Sequence, residues 1–332
     1  MLRDTTLFYK KSNITQREVM TDIPHIPVLL NQTLQSFESI DSGVIIDCTL
    51  GYGGHSEALL EAHPNIKLIG IDRDQTAIDF ASKRLAKFGD RFQTVKGDFA
   101  TAFDKAVEIA GVENVRGLLA DIGVSSLQLD QIDRGFGFDS DVLDMRMDQN
   151  APLSAYEVVN EYPHEKLMKI FYEYGEIAYG KDLAQKIIDK RQKGPITSAK
   201  VLADLAMSFK TGKKIHPATL MFQAIRIEVN DELGQLHGVL DKIENSQLQN
   251  CIVSIISFHS LEDRIVKQRF KAWTVKCICP THVMRCECGN NHQKGKLLNK
   301  KPLIADDKEI KENPRSRSAK LRSFYFGTDS AF

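Results

Sequence analysis

The chain has 332 residues, 42% of them hydrophobic, and a formal net charge of zero from 44 Lys+Arg and 44 Asp+Glu. That ordinary globular composition excludes a disordered or fibrous chain, and the length suits one large domain or two moderate ones. No apolar run approaches the roughly 18 residues of a membrane span and no signal-peptide pattern opens the chain, so a cytoplasmic location without a membrane partner is expected.

Residues 1–22 show no clear hydrophobic period and are expected to form a disordered extension. From Gly43 onward short apolar runs alternate with helical stretches. Strands are predicted at Val44-Ile45-Ile46, Leu68-Ile69-Gly70-Ile71, Phe92-Gln93-Thr94-Val95 and Gly117-Leu118-Leu119-Ala120. Helices are predicted from about Ser56 and from Thr76 to Phe88. Branched apolar strands spaced by amphipathic helices imply a parallel sheet covered on both faces. Residues 131–150 read as a loop, and everything from Ser154 to about Asn245 reads as helix. Ser154 with Glu157 forms a capping box, and Thr197-Ser198 and Pro217 mark further helix starts. Cys251-Ile252-Val253-Ser254-Ile255-Ile256-Ser257 then returns to strand character. A helical block between strands of one sheet is best read as an insert. The expected organisation is therefore a sheet domain over 23–135 and 246–332, interrupted by an all-helical insert over 136–245.

The zero net charge is an average. Residues 261–332 carry 16 basic against 8 acidic side chains, a balance of +8, and residues 1–260 carry −8. Arg315, Arg317, Lys320 and Arg322 crowd one acid-free stretch, directly before Phe324-Tyr325-Phe326. Cations beside aromatics suit phosphate contacts with base stacking on RNA; the competing reading is a solvated terminal segment. Of six cysteines, Cys277, Cys279, Cys286 and Cys288 read C-x-C-x6-C-x-C. Without a secretory signal a disulfide framework is not expected. The spacing departs from the C-x2-C of familiar zinc sites, so zinc and free thiols both stay open and no metal is assigned.

A ligand crevice is predicted at the strand ends. Asp47-Cys48-Thr49-Leu50-Gly51-Tyr52-Gly53-Gly54-His55-Ser56 joins the first strand to its helix, where glycines permit a tight turn and helix N–H groups face a ligand. Asp72 ends the second strand, placed to accept from ribose hydroxyls. Phe99 follows the third strand and could flank an adenine, and Asp121 ends the fourth. Such an adenosine site serves NAD or S-adenosylmethionine. Asp47 favours the second, because a carboxylate there could hold the methionine ammonium and would gain nothing from a pyrophosphate. The fold class expected is α/β, a class I (Rossmann-like) S-adenosylmethionine-dependent methyltransferase sheet with the helical insert.

Several segments resemble the bacterial MraW family of ribosomal RNA small-subunit methyltransferases. They include the Asp47 to Ser56 turn, Asp121-Ile122-Gly123-Val124-Ser125-Ser126 with Gln128, Arg134-Gly135-Phe136-Gly137-Phe138, and Leu143-Asp144-Met145-Arg146-Met147-Asp148. Ala218 to Leu233, Ser257-Phe258-His259-Ser260-Leu261-Glu262 and Asn313-Pro314-Arg315-Ser316-Arg317-Ser318 continue the match, which runs from about Ile23 to Arg322. The resemblance implies S-adenosylmethionine-dependent methylation of the exocyclic N4 of one decoding-region cytidine in small-subunit rRNA. By position it implies cofactor contacts from Gly53, Gly54, His55, Asp72, Phe99, Asp121 and Gln128. The partner expected is small-subunit rRNA or the assembled subunit, with a homodimer left open. Where many amino-methyltransferases carry Asn/Asp-Pro-Pro-aromatic after the fourth strand, this chain has neither prolines nor an aromatic. Asp121 or a nearby carbonyl is therefore the expected acceptor for the cytosine amine, with His259 and Ser260 in reserve. Two alternatives stand beside this reading: a methyltransferase acting on a protein or metabolite, and a non-catalytic RNA-binding ribosome assembly factor.

Overall fold

The computed structural model describes residues 27–123, 131–209, 216–280 and 282–327. The expected extension over 1–22 and Gln128 lie outside them. Seven strands form one sheet in the order β3-β2-β1-β4-β5-β7-β6. They are β1 (Gly43–Asp47), β2 (Ile66–Asp72), β3 (Phe92–Lys96), β4 (Val115–Asp121), β5 (Cys251–Ser257), β6 (Gly295–Leu297) and β7 (Lys320–Phe326). The first five run parallel, and β7 is antiparallel to both of its neighbours.

Both faces of the sheet are covered, which is why its central strands are apolar throughout rather than alternating. On one face lie α1 (Leu30–Phe37), α2 (Gly54–Ala62) and α3 (Gln75–Leu85), contributing Phe37, Leu59, Leu60, Ala81 and Leu85 to a core with Ile45 and Leu119. On the other lies α4 (Phe99–Ala110), whose Phe103 and Ala106 pack with Ile46, Ile71 and Val253.

The stretch between β4 and β5 begins with a loop and continues as α5 (Ala155–Glu161), α6 (His164–Glu173), α7 (Gly180–Arg191), α8 (Ala199–Ala206), α9 (Ala218–Asn230) and α10 (Glu232–Asn245). Ser154 and Glu157 make the capping box, and Ser198 and Pro217 stand at the N-caps of α8 and α9. The helical cluster has a core of its own from Phe136 to Val229. Residues of α10 are absent from that core. Its Leu236, Val239, Leu240 and Ile243 pack in the sheet layer beside Phe103 and Ala106 of α4. The helix expected to close the insert thus belongs to the cover of the sheet. Its apolar stripe does not reveal which layer it faces, since either surface accepts one.

The last part of the chain corrects the expected basic, aromatic tail. After α11 (Ser260–Trp273) and α12 (Asp307–Glu312), the segment reaching Phe326 is a central structural strand. Phe324, Tyr325 and Phe326 are at most 3% exposed, so none of them is available to stack on a base. Phe324 and Phe326 pack around Trp273, while Tyr325 points to the opposite face and donates its hydroxyl to Asn250 Oδ1 at 2.8 Å. Strand alternation sends the aromatics to opposite faces of the sheet, and the layers packed on both faces bury them.

Two of the tail's four cations are also structural. Arg322 is buried, and its Nε donates to Asp263 Oδ1 at 2.7 Å while Lys320 Nζ reaches Oδ2 at 3.3 Å. Burial alone would raise the Asp263 carboxyl, but its bonds to Arg322 and the two positive charges outweigh that and hold it below the ordinary value. Its stabilising contribution is therefore complete above the unfolded aspartate value of about 3.9, and is lost as pH falls through the lower folded value. Arg322→Ala leaves the carboxylate with Lys320 alone, at an expected cost of about 1–3 kcal/mol in urea unfolding at neutral pH. A variant as stable as the parent would refute this assignment.

Candidate active site

The site is built at the carboxyl edge of the parallel strands, where β1 has β2 on one side and β4 on the other. At this reversal of winding the following loops part and leave a crevice. Backbone bonds carry the edge slightly past the strands: Leu50 N–H donates to Ile71 O at 2.8 Å and Gly97 N–H to Asp72 O at 2.9 Å.

The turn after β1 owes its form to Gly51 (φ 50°) and Gly53 (φ 75°), a left-handed geometry that disfavours side chains. Gly53 is the N-cap of α2, and a Cβ there would come within 3.0 Å of Leu85, so it sets the packing of α2 on α3. Gly54 takes its place on the crevice wall.

Asp47 does not do what was expected of it. Its carboxylate is buried at 1% exposure, accepts from Ser56 Oγ at 2.7 Å and Thr49 N–H at 3.1 Å, and is absent from the crevice wall. It fastens the turn to α2. Burial pushes its carboxyl upward, with the Ser56 bond opposing.

The crevice has a volume of about 420 Å³, within the range of small-molecule sites. Gly54, His55, Asp72, Phe99 and Asp121 all line it, from four different strand ends. Asp72 Oδ2 accepts from Gly51 N–H at 2.8 Å and Oδ1 from Asp74 N–H at 2.9 Å. Each oxygen has a second lone pair left, so the carboxylate both braces the glycine turn and offers acceptors to hydroxyls. Burial raises it above the ordinary carboxylate value, with those two N–H bonds opposing. Asp98 caps α4 through the N–H groups of Ala100 and Thr101, which sets Phe99 at the first position of that helix.

His55 Nε2 and Asp121 Oδ2 stand 3.6 Å apart on the wall. Among the described residues, neither ring nitrogen of His55 nor Oδ1 of Asp121 finds a hydrogen-bond partner, and all three atoms are buried. Buried polar atoms left unpaired are costly, so their concentration at one place in the crevice suits a polar ligand group. These orphaned atoms, the free lone pairs of Asp72 and the crevice volume fit S-adenosylmethionine.

The helical part closes the crevice with residues the sequence reading missed. Asn230, at the end of α9, accepts from Met147 N–H at 2.8 Å and donates to Met145 O at 2.8 Å. Arg134 donates to the carbonyls of Arg146 and Met147, both at 3.0 Å. Together they hold the 143–148 loop so that Met147 faces the crevice. Beside it, Arg226 of α9 and Glu232 of α10 form a two-pronged pair at 2.8 and 2.9 Å. Their motif was visible as Ala218 to Leu233, but no local rule brings an insert residue to a strand edge some 100 positions away.

At the mouth, Asn313 Oδ1 caps a 3₁₀ turn over Pro314–Ser318, and the buried Ser316 donates to Asn313 O at 2.7 Å. That turn lays Arg315 and Arg317 along the same crevice. The reserve candidates after β5 do not join them. His259 caps α11, with Nδ1 accepting from Glu262 N–H at 3.4 Å and Nε2 lying 3.0 Å from the Glu262 carboxylate. Ser260 donates to Glu176 at 2.8 Å. Both serve the helix start and its neighbour rather than the crevice.

A parallel sheet with an antiparallel β7 inserted beside β5, and an adenosine-type crevice at the β1/β4 reversal, define a class I S-adenosylmethionine-dependent methyltransferase. More narrowly, the chain belongs to the MraW methylase family, whose model matches residues 22–326. It is 56% identical over 310 residues to the ribosomal RNA small subunit methyltransferase H of Sulfurovum sp. (strain NBC37-1), covering 93% of this chain and 100% of that protein. The protein of the same name from Campylobacter jejuni is 52% identical over 306 residues, covering 92% of this chain and 98% of its own. No helix among the described residues is long and apolar enough to cross a membrane.

Proposed function

We propose that this chain methylates the exocyclic N4 of one cytidine in the decoding region of 16S rRNA, using S-adenosylmethionine in the cytoplasm. The observation that carries the reading is one continuous crevice, with acidic strand ends on its inner wall and Arg315 and Arg317 at its mouth. Its family, and close relatives named for ribosomal RNA methylation, support the same substrate.

In this reading Asp72 holds the ribose hydroxyls, Phe99 flanks the adenine, and Gly53 and Gly54 shape the backbone against the cofactor. Gln128 is carried with them from the family pattern alone. His55 and Asp121, with their unpaired atoms, face the reacting end. When bound, S-adenosylmethionine supplies a sulfonium methyl group. The cytosine amine must offer a lone pair that the ring ordinarily withdraws. Asp121, accepting a hydrogen bond from that amine, would favour the pair on nitrogen and take up the proton that the methylated nitrogen releases. The remaining rate comes from alignment in a closed site. A paired base cannot reach the strand edge, so the cytidine must leave its stack. The helical insert over 136–245 would then hold the flanking RNA.

The test is transfer of labelled methyl to small subunits, and to free rRNA, from a strain lacking the modification, with the product nucleotide mapped by mass spectrometry. N4-methylcytidine at one position is expected. Label in protein or small molecules alone would favour the second methyltransferase reading, and no label from folded, cofactor-binding protein would favour an assembly factor. Asp121→Ala should lower kcat by about 100-fold or more, a larger loss than the one it causes in cofactor affinity. The elution mass of the active species decides whether it works as a homodimer.

A further inference from the structure

We propose that Cys277, Cys279, Cys286 and Cys288 form a structural zinc site that holds the loop between α11 and β6. All four sulfur atoms lie within 4.8 Å of one another. Cys277 and Cys286 are 3.6 Å apart, Cys286 and Cys288 3.6 Å, and Cys277 and Cys288 3.7 Å. Four thiolates at about 2.3 Å from a tetrahedral zinc stand about 3.8 Å from each other. Two disulfides would instead draw sulfurs together in pairs at about 2.05 Å. The three near-equal separations among Cys277, Cys286 and Cys288 are those of one face of such a tetrahedron, with Cys279 Sγ within 4.8 Å of each as its fourth corner.

The backbone explains how C-x-C spacing achieves this. Ile278, between the first two cysteines, donates its N–H to Cys288 Sγ at 3.4 Å. Glu287, between the last two, donates its N–H to Cys279 Sγ at 3.3 Å. Each arm thus gives a donor to a sulfur of the other arm. Such bonds stabilise negative sulfur, which a metal ligand must carry. The doubt raised by the short spacing applied to one arm folding around an ion alone, whereas two arms clasp here.

No described residue from 274 to 294 is buried, and Ile278 and Met284 are exposed apolar side chains. The loop's ends are tied by Lys294 N–H to Trp273 O at 2.9 Å and His292 N–H to Lys276 O at 3.0 Å. A segment of this length that buries no core needs a cross-link to keep one form. The site is remote from the crevice. The loop leads into Gly295, which pairs with Phe326 opposite Cys251 at the start of β5, while the crevice lies beyond that strand's other end.

The full-length chain, purified without chelator from zinc-supplied cells, should carry one zinc by elemental analysis. Four thiols should react with a thiol reagent only after a chelator removes the metal, and cobalt(II) exchange should produce the visible absorption of a tetrahedral tetrathiolate. The double variant Cys279→Ser/Cys288→Ser should lose the zinc and become open to protease cleavage within 275–293, with S-adenosylmethionine affinity changed less than about twofold. The proposal is overturned by a wild-type chain that neither retains nor takes up zinc, by native disulfides among the four, or by unchanged zinc content in the double variant.

Discussion

Asp72→Ala should lower S-adenosylmethionine affinity by about 100- to 1,000-fold, read by calorimetry, while the chain stays folded. The size follows from what one carboxylate does. It holds the N–H groups of Gly51 and Asp74 at 2.8 and 2.9 Å and, in the proposed complex, accepts from the ribose. Hydrogen bonds to a charged group contribute about 1.5–3 kcal/mol each, and tenfold in affinity is about 1.4 kcal/mol. Alanine removes the ribose contact and frees the turn that α2 starts from. Asp72→Asn separates the two effects. Its single carbonyl oxygen can keep one N–H bond but not both, so affinity should fall between parent and alanine. Equal affinity for all three forms would place the cofactor's ribose elsewhere.

Arg315→Ala with Arg317→Ala should raise the KM for rRNA or small subunits by about 10- to 100-fold and reduce the salt dependence of RNA binding by about two counterions. Both residues lie on the crevice mouth, in a turn capped by Asn313 and tied by Ser316. Loss of the guanidinium groups should therefore leave the fold intact, unlike Arg322→Ala. Deleting residues 313–322 as a block cannot make this distinction, because it also removes the first half of β7. A double variant with an unchanged salt slope would move the RNA path away from this edge.

The parallel sheet was legible because its signal is local. A run such as Cys251–Ser257 carries branched apolar residues on both faces, broken only by two small serines, and only a strand covered on both faces requires that. The crevice acids were legible for a related reason: Asp72 and Asp121 end such runs, and strand ends in a parallel sheet share one edge. Asp47 ended a run in the same way, yet turned inward. Ser56 lies nine positions on, brought back by the turn and close enough to claim the carboxylate. The same limit misled the reading of Phe324-Tyr325-Phe326. Aromatics beside cations look alike on an RNA surface and in a strand, and only the pairing of β7 with β5 decides which they are.

By itself the sequence determined the five parallel strands, the helix caps, the family pattern and the acids at the strand ends, all set by spacing along the chain. Tertiary structure decided which of those groups face the crevice. It brought Met147, Arg226 and Glu232 to an edge formed far away in the chain. It also divided four neighbouring cations into a pair bound to Asp263 and a pair at the crevice mouth. A side chain's charge is written in the sequence, but its partner is chosen by whatever the fold places within about 3 Å of it.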